Sequence, residues 1–367
     1  AALDSGIDKC DHFRDPSTPL RCVCKRRDKV RAGSAMKIAV VTPVFDDWPA
    51  FGRLLQEISV LATDLPFALE IVAVDDGSSV SYELSFPALT ADAICGVEIL
   101  RLGLNLGHQR AIAIGLVGIA HREDLDGVFV MDCDGEDRPA DLPRLFAASR
   151  DNPGRIIVAQ RVQRSERHAF KAGYAVYKFL FALLTGRHIY FGNFCFMPMA
   201  CVRRLVFMPE IWNNLPATIL RSRISYSPVQ TARGSRYFDR SRMNWAALIA
   251  HGLSAMSVYI DVVFVRILVG ALIVAAMTLL GIAAAVAIRF VTSLAIPGWT
   301  TIVVGVLGLL LMQVIVMVVP MLLLVLAARN TRPIVPFVDA GVFVATRQRY
   351  ESNHCHSTVE MQTDQLP

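Results

Sequence analysis

The sequence predicts an α/β domain of Rossmann-like type with a C-terminal two-helix transmembrane hairpin. Three observations predict it. Between Lys37 and about Gln230, short apolar runs alternate with helical stretches, the pattern of a mostly parallel sheet covered on both faces. Three of the strand-like runs end in acidic clusters. Two long apolar stretches, Val262–Ile288 and Thr301–Ala328, then follow.

Residues 1–35 are polar and irregular. They hold Cys10, His12, Cys22 and Cys24, at a spacing that fits no zinc template, and are expected to be a disordered extension. They lack the apolar centre of a signal peptide, and Met36 stands just before the first strand-like run. Ile38–Thr42 reads as a buried strand and Trp48–Ala62 as a helix. Leu69–Val74 and Val97–Leu100 are the next strands, and Gly107–His121 is a helix. Gly127–Met131, the helix Leu142–Ser149 and the strand Arg155–Ala159 follow. Trp245, Leu248, Ile249, Leu253 and Met256 recur at helical spacing, so residues 243–261 are expected as an amphipathic juxtamembrane helix. Tyr174, Tyr177, Phe181 and Leu184 form a second stripe, for which core packing is favoured over a membrane-facing role. The polar residues 329–367 read as a tail.

Hydrophobic residues make up 54% of the chain and charged residues 19%, a bias that excludes a disordered or disulfide-stapled chain. The excess is concentrated. From Ile267 to Ala328 the only charge is Arg289. Each long run exceeds the ~20 residues needed to cross a bilayer as a helix. Arg233, Arg236, Arg240 and Arg242 precede the hairpin, and Arg329, Arg332, Arg347 and Arg349 follow it. That asymmetry predicts an integral membrane protein with its large N-terminal domain and tail in the cytoplasm. The net charge of +5 points to anionic lipid headgroups and not to nucleic acid. Eight cysteines without a pairing pattern fit a reducing compartment. A homo-oligomer is left open.

The acidic clusters carry the chemistry. The first strand ends in Pro43-Val44-Phe45-Asp46-Asp47, the second in Asp75-Asp76-Gly77-Ser78-Ser79, the fourth in Asp132-Cys133-Asp134-Gly135-Glu136-Asp137. Ligands of open α/β sheets bind outside the carboxyl ends of the strands. Carboxylates gathered there repel one another unless they hold a divalent cation or the hydroxyl and amide groups of a nucleoside. Hard oxygen ligands suit Mg²⁺ or Mn²⁺, which in turn bind diphosphate. No Walker loop and no GxGxxG turn is present.

From Met36 to Ala328 these motifs resemble glycosyltransferase family two, with its GT-A fold, and within it the polyisoprenyl-phosphate glycosyltransferase branch. Pro43 to Asp47 match the family's Pro-x-Tyr-Asn-Glu motif, with Asp in place of both Asn and Glu. Asp75 and Asp76 match its Asp-Asp-Gly-Ser turn, and Asn105 to Ala111, with Gln109, match its Asn-x-Gly-x-x-x-Ala segment. The resemblance makes Pro43, Phe45, Asp47, Asp75, Asp76, Asn105 and Gln109 nucleotide-binding candidates. It makes Asp132 and Asp134 the Asp-x-Asp metal motif, with Glu136 beside it, and adds Arg161 to these two aspartates as a catalytic candidate. Phe191 to Met197 resemble a Gly-Asp-Phe-Arg-Leu-Met segment in which Asn193 replaces the Asp. Arg233 to Tyr237 resemble a Gly-x-Ser-Lys-Tyr segment, and Gly234 stands where processive synthases carry Trp after Gln-x-x-Arg.

The resemblance implies a GT-A domain over residues 36–242, the juxtamembrane helix over 243–261, the hairpin over 262–328 and a cytoplasmic tail over 329–367. It implies a metal-dependent, inverting transferase. A single sugar would pass from a nucleotide-sugar donor to a polyprenyl phosphate, undecaprenyl or dolichyl. A phosphate acceptor is already anionic and needs positive groups more than a base; Arg164, Arg167, Lys171, Arg233 and Arg236 are the candidates. The alternatives are another lipid or glycan hydroxyl as acceptor, or a catalytically weak membrane assembly partner.

Overall fold

The computed structural model describes residues 36–80, 94–161, 168–238, 245–292, 296 and 298–351. The extension over 1–35, with its cysteines, and the end of the tail lie outside them. The chain forms β1 (Lys37–Val44), α1 (Trp48–Ala62), β2 (Ala68–Asp75), β3 (Ile94–Leu102), α2 (His108–Ala120) and β4 (Gly127–Val130). It continues through α3 (Leu142–Asp151), β5 (Ile156–Arg161), α4 (His168–Thr185), β6 (Cys195–Pro198), α5 (Met199–Leu205), α6 (Leu215–Arg221) and β7 (Tyr226–Thr231). The last elements are α7 (Trp245–Ser257), α8 (Ile260–Val291), α9 (Trp299–Asn330), α10 (Pro336–Asp339) and β8 (Val344–Glu351).

The strands make one eight-stranded sheet in the order β7-β5-β6-β4-β1-β2-β3-β8. β4, β1, β2 and β3 run parallel, β5 pairs parallel with β7, and β6 lies antiparallel between β4 and β5. The continuous apolar runs of the central strands follow from burial on both faces. In β1, alternate residues divide between two cores: Ile38 and Val40 pack with Phe51, Leu54 and Ile58, while Ala39 and Val41 pack with Ile112 and Leu116. α2 comes close to the sheet at Gly115, where a Cβ would meet Val41 and Val74.

The tail differs from expectation. After the hairpin the chain returns to the sheet, and β8 pairs antiparallel with β3 from Gly96↔Glu351 to Leu102↔Val344. Arg347 pairs with the buried Glu98, and Arg349 lies 3.7 Å from the buried Glu70. Glu70 also holds Lys37 at 2.8 Å and Arg122. An alternation of charged and neutral residues reads as solvated tail, because the carboxylates that receive these arginines sit some 250 residues earlier in the chain.

α8 and α9 are 32 residues each and are 11% and 0% buried over their most apolar windows. At a 1.5 Å rise each is about 48 Å long, more than a ~30 Å hydrocarbon core. A core helix of a soluble protein would bury its apolar side chains; these leave Leu280, Met317 and Leu324 in the open. α7, Trp245–Ser257, lies within the residues expected as a juxtamembrane helix. Leu253 is exposed, whereas Ser254 turns inward and donates to Asn213 O at 2.9 Å. Tyr177, Phe181 and Leu184 of α4 pack with Ala217, Ala255 and Tyr259, as core packing requires.

Candidate active site

Three neighbouring strands, β4, β1 and β2, place their carboxyl ends side by side. Their acidic turns therefore meet on one edge of the sheet although they are spread from Asp46 to Asp137 in sequence. Pro43, Val44 and Phe45 from β1, Asp76 after β2, and Asn105, Gly107 and His108 before α2 line a cavity of about 170 Å³.

Asp76 builds this cavity. Its Oδ1 accepts from Leu106 N at 2.8 Å and its Oδ2 from Gly107 N at 2.9 Å. Burial pushes its carboxyl above the usual range against the pull of these two amides. Asp75 is buried, accepts from Ser78 N at 2.8 Å and lies 3.5 Å from Arg101 Nε. Asp46 holds the same turn from the other side, accepting from Ser79 N at 2.8 Å. Asp47 stands at the N-cap of α1, outside the cavity wall. Gln109 is also outside it. Its Nε2 donates to Asn193 Oδ1 at 3.0 Å and its Oε1 accepts from Leu215 N at 2.8 Å. Gln109 thus bridges α2 and α6, because a buried amide takes the partners its backbone surroundings offer.

The turn after β4 lies next to this cavity. His108 Nε2 is 3.2 Å from Asp132 Oδ1, so one imidazole touches both. Burial would lower the imidazole pKa, but Asp132, Asp137 and Asp134 hold it above its ordinary value. Asp137 accepts from Asp132 N at 3.0 Å and pairs with Arg161 Nη2 at 2.8 Å. Burial and the adjacent Asp132 push its carboxyl up to about 7. Burial and Asp132 also raise Asp134.

A strap over residues 232–238 closes on this turn. Gly234 N donates to Glu136 O and Tyr237 N to Asp134 O, each at 2.9 Å. Arg233 lies 2.6 Å and Arg236 2.9 Å from Glu136 Oε1, and Arg236 Nη2 lies 2.9 Å from Asp134 Oδ2. Arg161 adds a contact to Glu136 at 3.3 Å. Gly135, at φ +88°, makes the close approach available: a Cβ there would meet Ser235 O and the Tyr237 ring.

The expected ligand trio of Asp132, Asp134 and Glu136 is therefore not assembled. Among the described residues, no three His, Cys, Asp or Glu side chains are grouped to hold a metal. Glu136 belongs to the guanidinium cluster, where Arg161, Arg233 and Arg236 all reach its carboxylate. Asp132 and Asp134 remain, and their donor chemistry fits a hard divalent cation: two adjacent carboxylates, with Asp134 made harder to ionise by its own burial and by Asp132. Of the phosphate candidates, Arg233 and Arg236 are engaged on the acidic turn. Arg164 and Arg167 lie outside the described residues, and Lys171 falls within α4. His108 carried no expected role; its position directly after Asn105-Leu106-Gly107, at the start of a helix, was the available signal.

Residues 39–205, from β1 to the end of α5, match the family described as Glycosyl transferase family 2. Over these residues, somewhat under half of its length, the chain is similar to that family. Its mixed α/β sheet with two long apolar helices behind it agrees with the expected GT-A-like fold. Over 229 residues the chain is 25% identical to an undecaprenyl-phosphate 4-deoxy-4-formamido-L-arabinose transferase of Salmonella choleraesuis (strain SC-B67). That match covers 59% of this chain and 66% of the relative, just under two thirds of its length. The Salmonella newport (strain SL254) protein of the same name matches at the same identity and coverage. Among solved structures, a glucosyl-3-phosphoglycerate synthase from Mycobacterium tuberculosis, in complex with Mn²⁺, UDP-glucose and phosphoglyceric acid, is 14% identical. It aligns over 62% of this chain and 80% of its own, with a TM-score of 0.46. A mannosyl-3-phosphoglycerate synthase from Rubrobacter xylanophilus is 15% identical over 61% and 72%, with a TM-score of 0.41.

Proposed function

We propose that the chain transfers one sugar from a nucleotide-sugar donor to a polyprenyl phosphate, with inversion, at the cytoplasmic face of a bacterial inner membrane. One observation carries this reading. The family 2 domain, with its acidic turns at one sheet edge, runs directly into two exposed apolar helices. The polyprenyl phosphate named for the Salmonella relative is an acceptor such a hairpin would place within reach. The pairing of β8 with β3 supports the topology, because the chain entering and leaving the hairpin must then lie on the same side.

The chain's own residues divide the work. The cavity between Pro43 and His108 receives the nucleoside, with Asn105 and the edge of Phe45 at its wall. Asp76 keeps that wall in place through the Leu106 and Gly107 amides. Asp132 and Asp134 would hold Mg²⁺ or Mn²⁺, which when bound supplies positive charge beside the leaving diphosphate. Arg161 stands on the far side of the turn and holds Asp137 and Glu136. Arg233 and Arg236 are positive groups at the edge of the same turn, positioned to take an anionic phosphate once released from Glu136 and Asp134. The acceptor phosphate attacks without a general base, so the Asn at position 193 costs the reaction nothing.

The test is the purified full chain in lipid nanodiscs with Mn²⁺ or Mg²⁺, undecaprenyl phosphate and a panel of UDP and GDP sugars. A glycolipid from at least one donor is expected. Product formed only on a hydroxyl acceptor would overturn the phosphate-acceptor reading. No product with any donor or acceptor would overturn the transferase.

A further inference from the structure

The segment after the membrane hairpin reaches the donor cavity through the backbone. Phe343 O accepts from Gly103 N at 3.0 Å, just after β3 ends. Two residues beyond Gly103 is Asn105, on the cavity wall, followed by the two amides that Asp76 binds. The Phe343 ring is held edge-on by Trp212, with centroids 5.8 Å apart. Earlier in the same segment, Phe337 packs on Phe207 and His121, at 4.2 and 4.6 Å between centroids, and its amide donates to Val206 O at 3.1 Å. His121 caps the C-terminal end of α2, whose first residue is His108. Both ends of the Gly103–α2 unit are thus pinned by residues that follow the second apolar helix.

We infer that Phe343 and Phe337 are positioning residues of the donor cavity: the chain returning from the membrane sets the Gly103–Gly107 turn, and with it nucleotide affinity. The inference rests on the nucleotide-donor reading of that cavity. A turn of five residues between a strand and a helix has little packing of its own, so its placement depends on what its ends are tied to. Loss of the Phe343 ring frees the carbonyl that holds Gly103 and displaces Asn105 and Gly107 together.

The experiment uses the full chain in nanodiscs, with variants Phe343→Ala, Phe343→Leu and, as a control for general destabilisation, Ile58→Ala at the far end of α1. Phe343→Ala is expected to raise donor KM about tenfold with kcat changed less than about twofold, as displaced binding groups do. Phe343→Leu restores most of the affinity, and Ile58→Ala lowers the melting temperature without moving KM. Hydrogen exchange of the peptide spanning residues 103–110 is measured alongside, without ligand. Faster exchange in Phe343→Ala than in Ile58→Ala supports the positioning role, and equal exchange in the two overturns it. An unchanged KM in Phe343→Ala also overturns it. If the wild-type chain binds no nucleotide, the donor reading fails, and the exchange comparison alone decides the positioning role.

Discussion

Arg236 Nη2 lies 2.9 Å from Asp134 Oδ2, so a residue of the strap after β7 covers one of the two carboxylates suited to a cation. The same guanidinium reaches Glu136 through Nε. Under the proposed function, Arg236 would have to leave Asp134 for that carboxylate to hold a cation.

Asp134→Ala removes a carboxylate with no substitute nearby, since Glu136 is held by three arginines. Turnover should fall by at least roughly 100-fold, the usual scale for losing one preorganised electrostatic group. Membrane insertion should be unchanged in a carbonate-extraction assay. Retained turnover would remove Asp134 from the cation site.

Chelation tests the same site without a mutation. EDTA should abolish transfer, and Mn²⁺ or Mg²⁺ in excess should restore it. Restored transfer in Asp134→Ala at raised Mn²⁺ would mean that the loss was one of affinity. Activity that survives EDTA would sink the metal dependence.

Gly135→Ala introduces a Cβ at φ +88°, against Ser235 O and the Tyr237 ring. The strain is on the order of 1–3 kcal/mol. It can be relieved by lifting the strap. Trypsin should then cut at Arg233 or Arg236 faster than in the parent, while the melting temperature of the sheet changes little. An unaltered digestion rate would contradict the tight closure.

The buried Glu70 sets a pH limit on the fold. Burial would raise its pKa, but Arg122 and Lys37 hold it below the ordinary 4.5. A carboxyl depressed in the folded state contributes stability that is complete above its unfolded pKa and lost as pH falls through the folded value. Melting temperature should therefore hold near neutrality and drop as pH falls below the ordinary carboxylate value of 4.5. Glu70→Gln should be less stable at pH 7 and should flatten that slope, as followed by circular dichroism in detergent.

Gly115→Val would place two methyl groups into Val41 and Val74, where α2 meets the sheet. Overpacking of this kind costs about 1–3 kcal/mol. A lower denaturation midpoint is expected with normal insertion of the hairpin. An unchanged midpoint would mean that α2 can move off the sheet freely.

Much of this was legible in the residues. α1 begins and ends where its periodicity places it, Trp48 to Ala62, because its buried face at Phe51, Leu54, Leu55 and Ile58 is set by local spacing. The acidic turns are legible for the same local reason: an Asp at a strand end needs no distant partner to be recognised. The partners of Glu136 and Gln109 were not legible because they are remote, at Arg233 and Arg236 for one and at Asn193 and Leu215 for the other. β8 was unreadable as a strand for a related reason. Its arginines look solvated until Glu98 and Glu70 are beside them.

The sequence by itself determined the alternation of strands and helices, the acidic strand ends and the two apolar helices, because each is written in neighbouring residues. Only the tertiary structure decided that the strap closes Arg236 onto Asp134 and that the chain leaving the hairpin completes the sheet. Those contacts join segments 100 or more residues apart, and no local pattern records which distant group a side chain or a strand edge will meet.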